Sequence, residues 1–234
     1  MAKAQKLFTL LRNKANLSCC LCHQSSGSWV CRFCQDDTLF YADSSWPCNL
    51  LLRPEIARHV EHSAYDSLQS CGWYTWPFDE LICSLKFNRR SLCATVLADW
   101  FCQFALQTDT PLPQCLLPVP IHYRRYMSRH FNQSTEIALW LSRLLGIAVN
   151  TQWARRIRGR DQHSLGRQQR LLNLRQAFRA TPVFDYQHVA IVDDVITTGS
   201  TVNELARQLK QANPKLHISV WAMAVTPAKA GLAR

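Results

Sequence analysis

The sequence predicts an α/β protein: a parallel β-sheet with flanking helices, joined to a small amino-terminal knuckle built on cysteines. Three observations carry this. The stretch from Cys115 onward alternates strand-like and helix-like patterns, the signature of β/α/β construction. His188–Val192 is an apolar, β-branched run that leads into two acids and a Thr/Gly/Ser turn, with a helical pattern directly behind. Two Cys-x-x-Cys pairs, Cys19/Cys22 and Cys31/Cys34, stand close together near the start.

Three zones follow. Residues 1–48 hold a short amphipathic start and the densest cysteine cluster. Residues 49–110 form an aromatic-rich linking segment, expected to be a helical hood, in which Trp73, Tyr74, Trp76 and Phe78 crowd together. Residues 111–234 are the expected sheet core. In that core Cys115–Pro120 reads as a buried strand stopped by prolines, because proline removes a ladder donor. Gln133–Leu145 places Ile137, Ala138, Leu141, Leu144 and Leu145 on one helical face and stops before Gly146. Ile147–Val149 is a short strand. Arg155–Gln169, charged and without periodicity, reads as an exposed mobile loop. Thr201–Ala212 is a helix with Val202, Leu205, Ala206 and Leu209 on one side, and Leu216–Val225 is another strand.

A chain of 234 residues with 47% hydrophobic content can bury a sizeable α/β core and a small appendage. Its longest apolar runs fall well short of the roughly 18 residues a membrane span needs. The weakly basic start is too short in its apolar part for a secretory signal, so a cytoplasmic protein is expected. In that setting eleven cysteines, an odd number, point to thiols or metal ligands rather than a disulfide framework. Cys83, Cys93, Cys102 and Cys115 sit singly among apolar residues and read as small buried hydrophobes.

The formal net charge of +11 calls for a polyanionic partner: a phosphorylated substrate, nucleic acid, or both. Between Arg155 and Arg179 eight arginines face a single acid, Asp161. Such a run is either a solvated face or a phosphate-recognising one, and the guanidinium fork suits phosphate.

The most informative string is His188-Val-Ala-Ile-Val-Asp193-Asp194-Val195-Ile196-Thr197-Thr198-Gly199-Ser200-Thr201. An apolar strand delivers two adjacent carboxylates to its carboxyl end, where ligands bind in open α/β sheets. The turn and helix start that follow offer unpaired N–H groups to an anion, and small residues let a phosphate approach the main chain. Acids before a phosphate cradle suit a sugar phosphate: the carboxylates take ribose hydroxyls and the loop takes the 5-phosphate. Neither Gly-x-x-x-x-Gly-Lys-[Ser/Thr] nor Gly-x-Gly-x-x-Gly occurs, so the nucleoside triphosphate and dinucleotide loops are excluded.

At the other end of the chain, Cys19, Cys22, Cys31 and Cys34 have the spacing of a tetrahedral four-sulfur site. Soft ligands at short spacing favour structural Zn²⁺ over an iron–sulfur cluster; a redox dithiol and a metal-free knuckle are the competing readings. Cys20 is one residue out of register and is taken as a bystander. Cys48 and Cys71, with His59 and His62 between them, are the residues a second metal would have to use.

The string from His188 to Thr201 resembles the binding signature for 5-phosphoribosyl-1-pyrophosphate (PRPP) of type I phosphoribosyltransferases. Within that superfamily the chain is similar to the ComF family, competence-type proteins resembling amidophosphoribosyltransferases. Leu117-Pro-Val-Pro120, followed by Arg124, Arg125, Arg129, Phe131, Asn132 and Gln133, carries part of that resemblance. So do Gln162-His-Ser-Leu165 with Arg170, Asn173 and Ala177-Phe178, and Leu81-Ile82 with Leu85-Lys86-Phe87. His130 stands where the family pattern has glycine.

The resemblance implies a type I phosphoribosyltransferase-like sheet behind a zinc ribbon. It implies PRPP binding with Mg²⁺ by Asp193, Asp194, Val195, Ile196, Thr197, Thr198, Gly199, Ser200 and Thr201. It raises Arg125, Arg129, Asn132, Gln133, Gln162 and Arg170 as phosphate or pyrophosphate contacts, with Arg155–Arg170 as a closing lid. Two functions follow: phosphoribosyl transfer to an acceptor the sequence does not name, or single-stranded DNA binding in which PRPP is regulatory or vestigial. Natural transformation, DNA utilisation and DNA-uptake or helicase partners come with the resemblance. The cluster of Trp73, Tyr74 and Trp76 reads either as packing or as a stacking platform.

Overall fold

The computed structural model describes residues 17–41, 48–88, 91–107, 110–121, 131–157, 177–181 and 185–227. Their centre is a five-stranded parallel sheet in the order β3-β9-β8-β4-β5: β3 Ser67–Trp73, β4 Cys115–Pro118, β5 Ala148–Val149, β8 His188–Ile196 and β9 His217–Val225. Parallel strands are buried on both faces and read as continuous apolar runs. In β8, Ala190 and Val192 join Trp221 and Met223 in one core, while Val189 and Ile191 join Ile218 and Val220 in the other. That is the period-2 alternation of a strand.

The first core lies under helices α3 (Phe78–Asn88), α4 (Ser91–Trp100) and α5 (Gln133–Leu145). Leu81, Ile82 and Leu85 of α3, Leu97 of α4 and Ile137, Ala138 and Leu141 of α5 are all within 1% of complete burial. Helix α5 begins where expected, because Asn132 Oδ1 accepts from Ser134 N–H at 3.2 Å and so caps the first turn. It ends where Gly146 takes the left-handed conformation, φ +73°, that glycine adopts without a Cβ penalty. The second core lies under α6 (Ser200–Ala212), whose Val202, Leu205, Ala206 and Leu209 face the sheet. Ile56 of α2 (Pro54–Ala57) and Trp153 close this side.

Three observations depart from the sequence expectations. β8 runs on through Asp193 and Asp194 to Ile196 rather than stopping at Val192, because β9 continues beside it and Ile196 pairs with Val225. Arg155 and Arg156 are not loop. They belong to β6 (Ala154–Arg156), which pairs antiparallel with β7 (Phe178–Ala180) and forms the base of the arginine-rich segment. Ser67–Trp73, in the linking segment, is a full strand of the central sheet, pairing with β9 from Ser67 to Trp73. Its mixed composition hides it; its partner is about 150 residues away.

The cysteine segment is packed on the first core rather than standing apart. β1 (Leu17–Ser18) pairs with β2 (Ser25–Ser26), and α1 (Arg32–Asp36) follows. Cys19, Leu21, Val30 and Cys34 belong to the same buried cluster as α3 and α4. Phe40 stacks on Phe104 with ring centroids 3.9 Å apart and meets Trp100 edge-on at 5.1 Å. Offset stacks and edge contacts of this kind add about 0.5–1.5 kcal/mol each beyond simple burial. Among the described residues no helix is long and apolar enough to cross a membrane.

Candidate functional site

The crevice at the carboxyl edge opens between β8 and β4, because β4 ends at Pro118 opposite Val192 while β8 continues. Val119 N–H still bonds Val192 C=O at 2.9 Å, and beyond that point Asp193 and Asp194 have no β4 partner. This is the place in an open α/β sheet where neighbouring strands run to opposite sides and a ligand can enter.

Asp193 Oδ1 accepts from Ser134 Oγ–H at 3.0 Å and from Asp194 N–H at 2.9 Å. Asp194 Oδ1 accepts from Val195 N–H at 2.8 Å, and its Oδ2 pairs with Lys86 Nζ at 2.7 Å. Burial, then the adjacent Asp194, push the Asp193 carboxyl up to about 8, against the opposing pull of the Asp194 N–H, Ser134 and Lys86. Burial and the neighbouring charge thus favour the protonated form of Asp193 in the ligand-free protein. Tyr74 lies on the same rim, its hydroxyl 3.6 Å from Cys83 Sγ, and is raised to about 12 by burial, Cys83 and the charge of Asp194.

Beyond Ile196, Thr197 and Thr198 are exposed, Gly199 turns, and Ser200 starts α6. Gly199 has φ +74°, and a Cβ there would lie 2.7 Å from Glu61 C=O and 2.8 Å from Val60 Cγ1. Glycine thus serves two needs: the left-handed turn and the close passage of residues 60–61. Glu61 N–H reaches Thr198 C=O at 2.8 Å, and Asn203 of α6 binds Glu61, Ser63 and Ala64, so the linking segment braces the turn. No side chain caps α6 and its first turn carries no acid, in contrast to the capped α5. Its first N–H groups, with the Thr198 and Ser200 hydroxyls 2.9 Å apart beside them, are donors of the kind that suit an anion.

The other expected contacts divide. Asn132 uses its amide within the protein, capping α5 and donating to Val119 C=O at 2.9 Å. Gln133 is 5% exposed in the first turn of α5, next to Ser134, and its Nε2 has no hydrogen-bond partner among the described residues. An orphaned buried amide at the edge of a crevice is a donor in need of an acceptor. Val195 is half-buried and Ile196 is core. Arg125, Arg129, Gln162 and Arg170 lie outside the described residues, as do His130 and most of the arginine-rich segment.

Lys86, Ser134, Glu61 and Asn203 are site residues that sequence reasoning did not mark. Lys86 and Ser134 reach the β8 acids and Glu61 reaches the turn from elements distant in the chain, while Asn203 of α6 ties Glu61 to the helix. Only Lys86 carries a local signal, a single cation between Leu85 and Phe87.

At the knuckle, the Sγ atoms of Cys19, Cys22, Cys31 and Cys34 all lie within 4.8 Å of one another. Cys22 Sγ is 3.7 Å from Cys31 Sγ; Cys31 N–H donates to Cys19 Sγ at 3.3 Å and Cys34 N–H to Cys31 Sγ at 3.4 Å. Backbone donors aimed at sulfur stabilise thiolates, and four soft ligands at this separation fit one tetrahedral ion. The cluster is a candidate structural metal site, in which the four cysteines could fill every position of one ion. Cys20 stands aside, its thiol pushed up to about 12 by burial and by Cys93 and Cys19. Cys48, Cys71, His59 and His62 form no second cluster among the described residues: His59 meets Thr226 C=O, His62 meets Val60 C=O, and Cys48 meets Thr110.

Comparison with known proteins agrees with this geometry. The phosphoribosyl transferase domain family matches residues 134–230, which contain the whole strand, turn and helix. The chain is 37% identical over 190 residues to the DNA utilization protein YhgH of Salmonella typhimurium, covering 79% of this chain and 80% of that one. It is 38% identical over 158 residues to the protein of the same name from Escherichia coli K12, 65% of this chain and 69% of that one. Competence protein F of Haemophilus influenzae is 31% identical over 202 residues, 83% of each chain. Relatives of this identity and coverage, together with a domain match that contains the acid pair and the uncapped helix, establish that the chain belongs to the ComF family of phosphoribosyltransferase-like proteins.

Proposed function

We propose that the chain binds PRPP at the carboxyl edge of β8 and serves in the uptake or utilisation of DNA. One observation carries the binding reading: two adjacent carboxylates run directly into a helix start that no side chain among the described residues caps. Asp193 and Asp194 meet the ribose hydroxyls, and Thr197–Thr201 hold the 5-phosphate. Val195 and Ile196 keep the acids in register with β9. Gln133, with its unpartnered amide, is a donor to a phosphate oxygen, and Arg125, Arg129, Gln162 and Arg170 complete the anionic side. Oxygen-rich and with one lysine for two acids, the edge fits a hard cation such as Mg²⁺. When bound, Mg²⁺ neutralises the diphosphate. Phosphoribosyl transfer at this site would draw on positioning and on stabilisation of the departing charge.

Titration calorimetry of the whole protein with PRPP and Mg²⁺ tests the site, and a PRPP-consumption assay with free bases and single-stranded DNA tests turnover. Saturable, Mg²⁺-dependent binding is expected; a flat titration would overturn the reading.

The DNA role draws on the names of the relatives, on the net charge of +11, and on Trp76 and Phe87, which are 44% and 67% exposed. A second reading, single-stranded DNA binding with PRPP as regulator, rests on those aromatics, and helicase or uptake proteins are its expected partners. It requires retention of single-stranded DNA on filters at low salt that falls steeply as salt rises. No retention at any salt would remove it. We also propose Zn²⁺ as the knuckle ion and the cytoplasm as the protein's location. Purified protein should carry about one zinc, lost in Cys31→Ser; full zinc content in that variant would refute the assignment.

A further inference from the structure

Helix α3 presents two different faces. Phe78, Leu81, Ile82 and Leu85 are buried, whereas Asp79, Cys83 and Lys86, at positions i, i+4 and i+7, share the side that borders the crevice. Cys83 meets Tyr74 there, and Lys86 reaches Asp194. The ion pair is no solvated surface contact: the Lys86 and Asp194 side chains are 22% and 13% exposed. Burying a lysine costs free energy, and that cost is offset only where charge or donors are needed.

An ammonium has three N–H donors and no acceptor. Among the described residues Asp194 is its hydrogen-bonded partner, through Oδ2, while Oδ1 is occupied by Val195 N–H. A sugar hydroxyl that addresses Asp194 must therefore approach beside Lys86. On a ribose whose 2- and 3-hydroxyls face the acids, the nearest remaining substituent is the one on C1. A lysine with free donors at that point recognises an anionic group there. A neutral or absent substituent would leave it with Asp194 alone.

We infer that Lys86 is a specificity-determining binding residue, bridging Asp194 to an anionic substituent on C1 of the sugar. The site thereby selects a ribose 5-phosphate that carries a second phosphate-type group over ribose 5-phosphate itself. The inference rests on the PRPP-site reading and gives the lysine of the Leu85-Lys86-Phe87 segment a role.

The test titrates wild type, Lys86→Met and Lys86→Arg with Mg·PRPP and with ribose 5-phosphate at fixed Mg²⁺ and ionic strength, and records the melting temperature of each. Wild type should prefer PRPP. Lys86→Met should weaken PRPP binding at least tenfold and ribose 5-phosphate binding less than threefold, and Lys86→Arg should recover most of the preference. The ratio of the two affinities is the deciding quantity, because a merely loosened fold weakens both ligands alike. An unchanged ratio in Lys86→Met, or a wild type that binds both ligands equally, overturns the role of Lys86 while leaving the site standing. A wild type that binds neither overturns the site, and this inference with it.

Discussion

Both ends of the central sheet gather ionisable side chains, and they treat a carboxylate in opposite ways. At the amino end, Asp66 accepts from Ile218 N–H at 2.7 Å, pairs with Lys210 Nζ at 3.0 Å and has His217 Nδ1 at 3.7 Å. Burial alone would raise its carboxyl, but the Ile218 N–H, Lys210 and His217 together hold it below the usual range. At the carboxyl end Asp193 is pushed up to about 8, by burial and by Asp194. Donors at the amino end outnumber the acids; at the carboxyl end two acids share one lysine. His188 belongs to the satisfied end: burial, then His217, lower it to about 4, and its neutral ring meets Ser219 Oγ at 2.7 Å.

The difference separates architecture from function. A carboxylate that the protein itself satisfies ties strands together, here Asp66 at the start of β3 to Ile218 of β9 and Lys210 of α6. An adjacent acid pair with a single lysine is short of positive charge, which makes the apo state less favourable and leaves a role for a cation or ligand donor.

The largest effect that would break this contrast lies in the acid pair. Asp193→Asn with Asp194→Asn should weaken Mg·PRPP binding strongly, since each charge-assisted hydrogen bond to a hydroxyl is worth about 1.5–3 kcal/mol. That is roughly tenfold or more per acid. Calorimetry on a variant that melts within a few degrees of wild type should register the loss; undiminished affinity would mean the ribose is elsewhere.

Next comes the satisfied end. Asp66→Ala leaves the Ile218 N–H without its acceptor, a cost of about 1–3 kcal/mol. Melting should fall by roughly 2–10 °C in a chain of this size, with PRPP affinity within twofold of wild type. A loss of affinity without a loss of stability would erase the distinction between the two ends.

A different readout is pH. Because the folded state holds the Asp193 proton up to about pH 8, it binds more protons than the unfolded chain once pH exceeds the ordinary carboxyl value of 3.8. Stability from this group therefore declines as pH rises from about 4 to about 8 and is level above that. Asp193→Asn removes the decline. Ligand-free Asp193→Asn should melt like wild type near pH 4 and above it near pH 8, the gap widening in between. A gap that is constant or shrinks with pH would contradict the assignment.

The smallest is Lys210→Met. Lys210 and Asp66 are 27% and 35% exposed, so their pair is expected to contribute under about 1 kcal/mol and to fade in high salt. Chemical denaturation of both proteins at low and high salt reads it out, and a large, salt-independent loss would show that the amino end depends on that pair more than its exposure implies.

What the sequence determined by itself was local. The β8 strand, the Thr197–Thr201 turn and α6 are contiguous, so periodicity, paired acids and small residues announce them within one string. The same holds for Asn132 and Gly146 bracketing α5, and for the two Cys-x-x-Cys pairs, whose sulfurs do converge. Tertiary structure decided everything that needs two distant segments. Ser67–Trp73 becomes a central strand only because β9 offers it an edge, and Lys86 becomes a site residue only because α3 crosses the end of β8. Ser134 reaches Asp193, and Glu61 reaches Asn203 of α6, in the same way. Asp66 and Asp193 look alike as letters, and their opposite behaviour follows from which donors the fold brings near each. Periodicity and turn chemistry are properties of neighbouring residues, whereas burial and electrostatic environment depend on which segments the folded chain brings together.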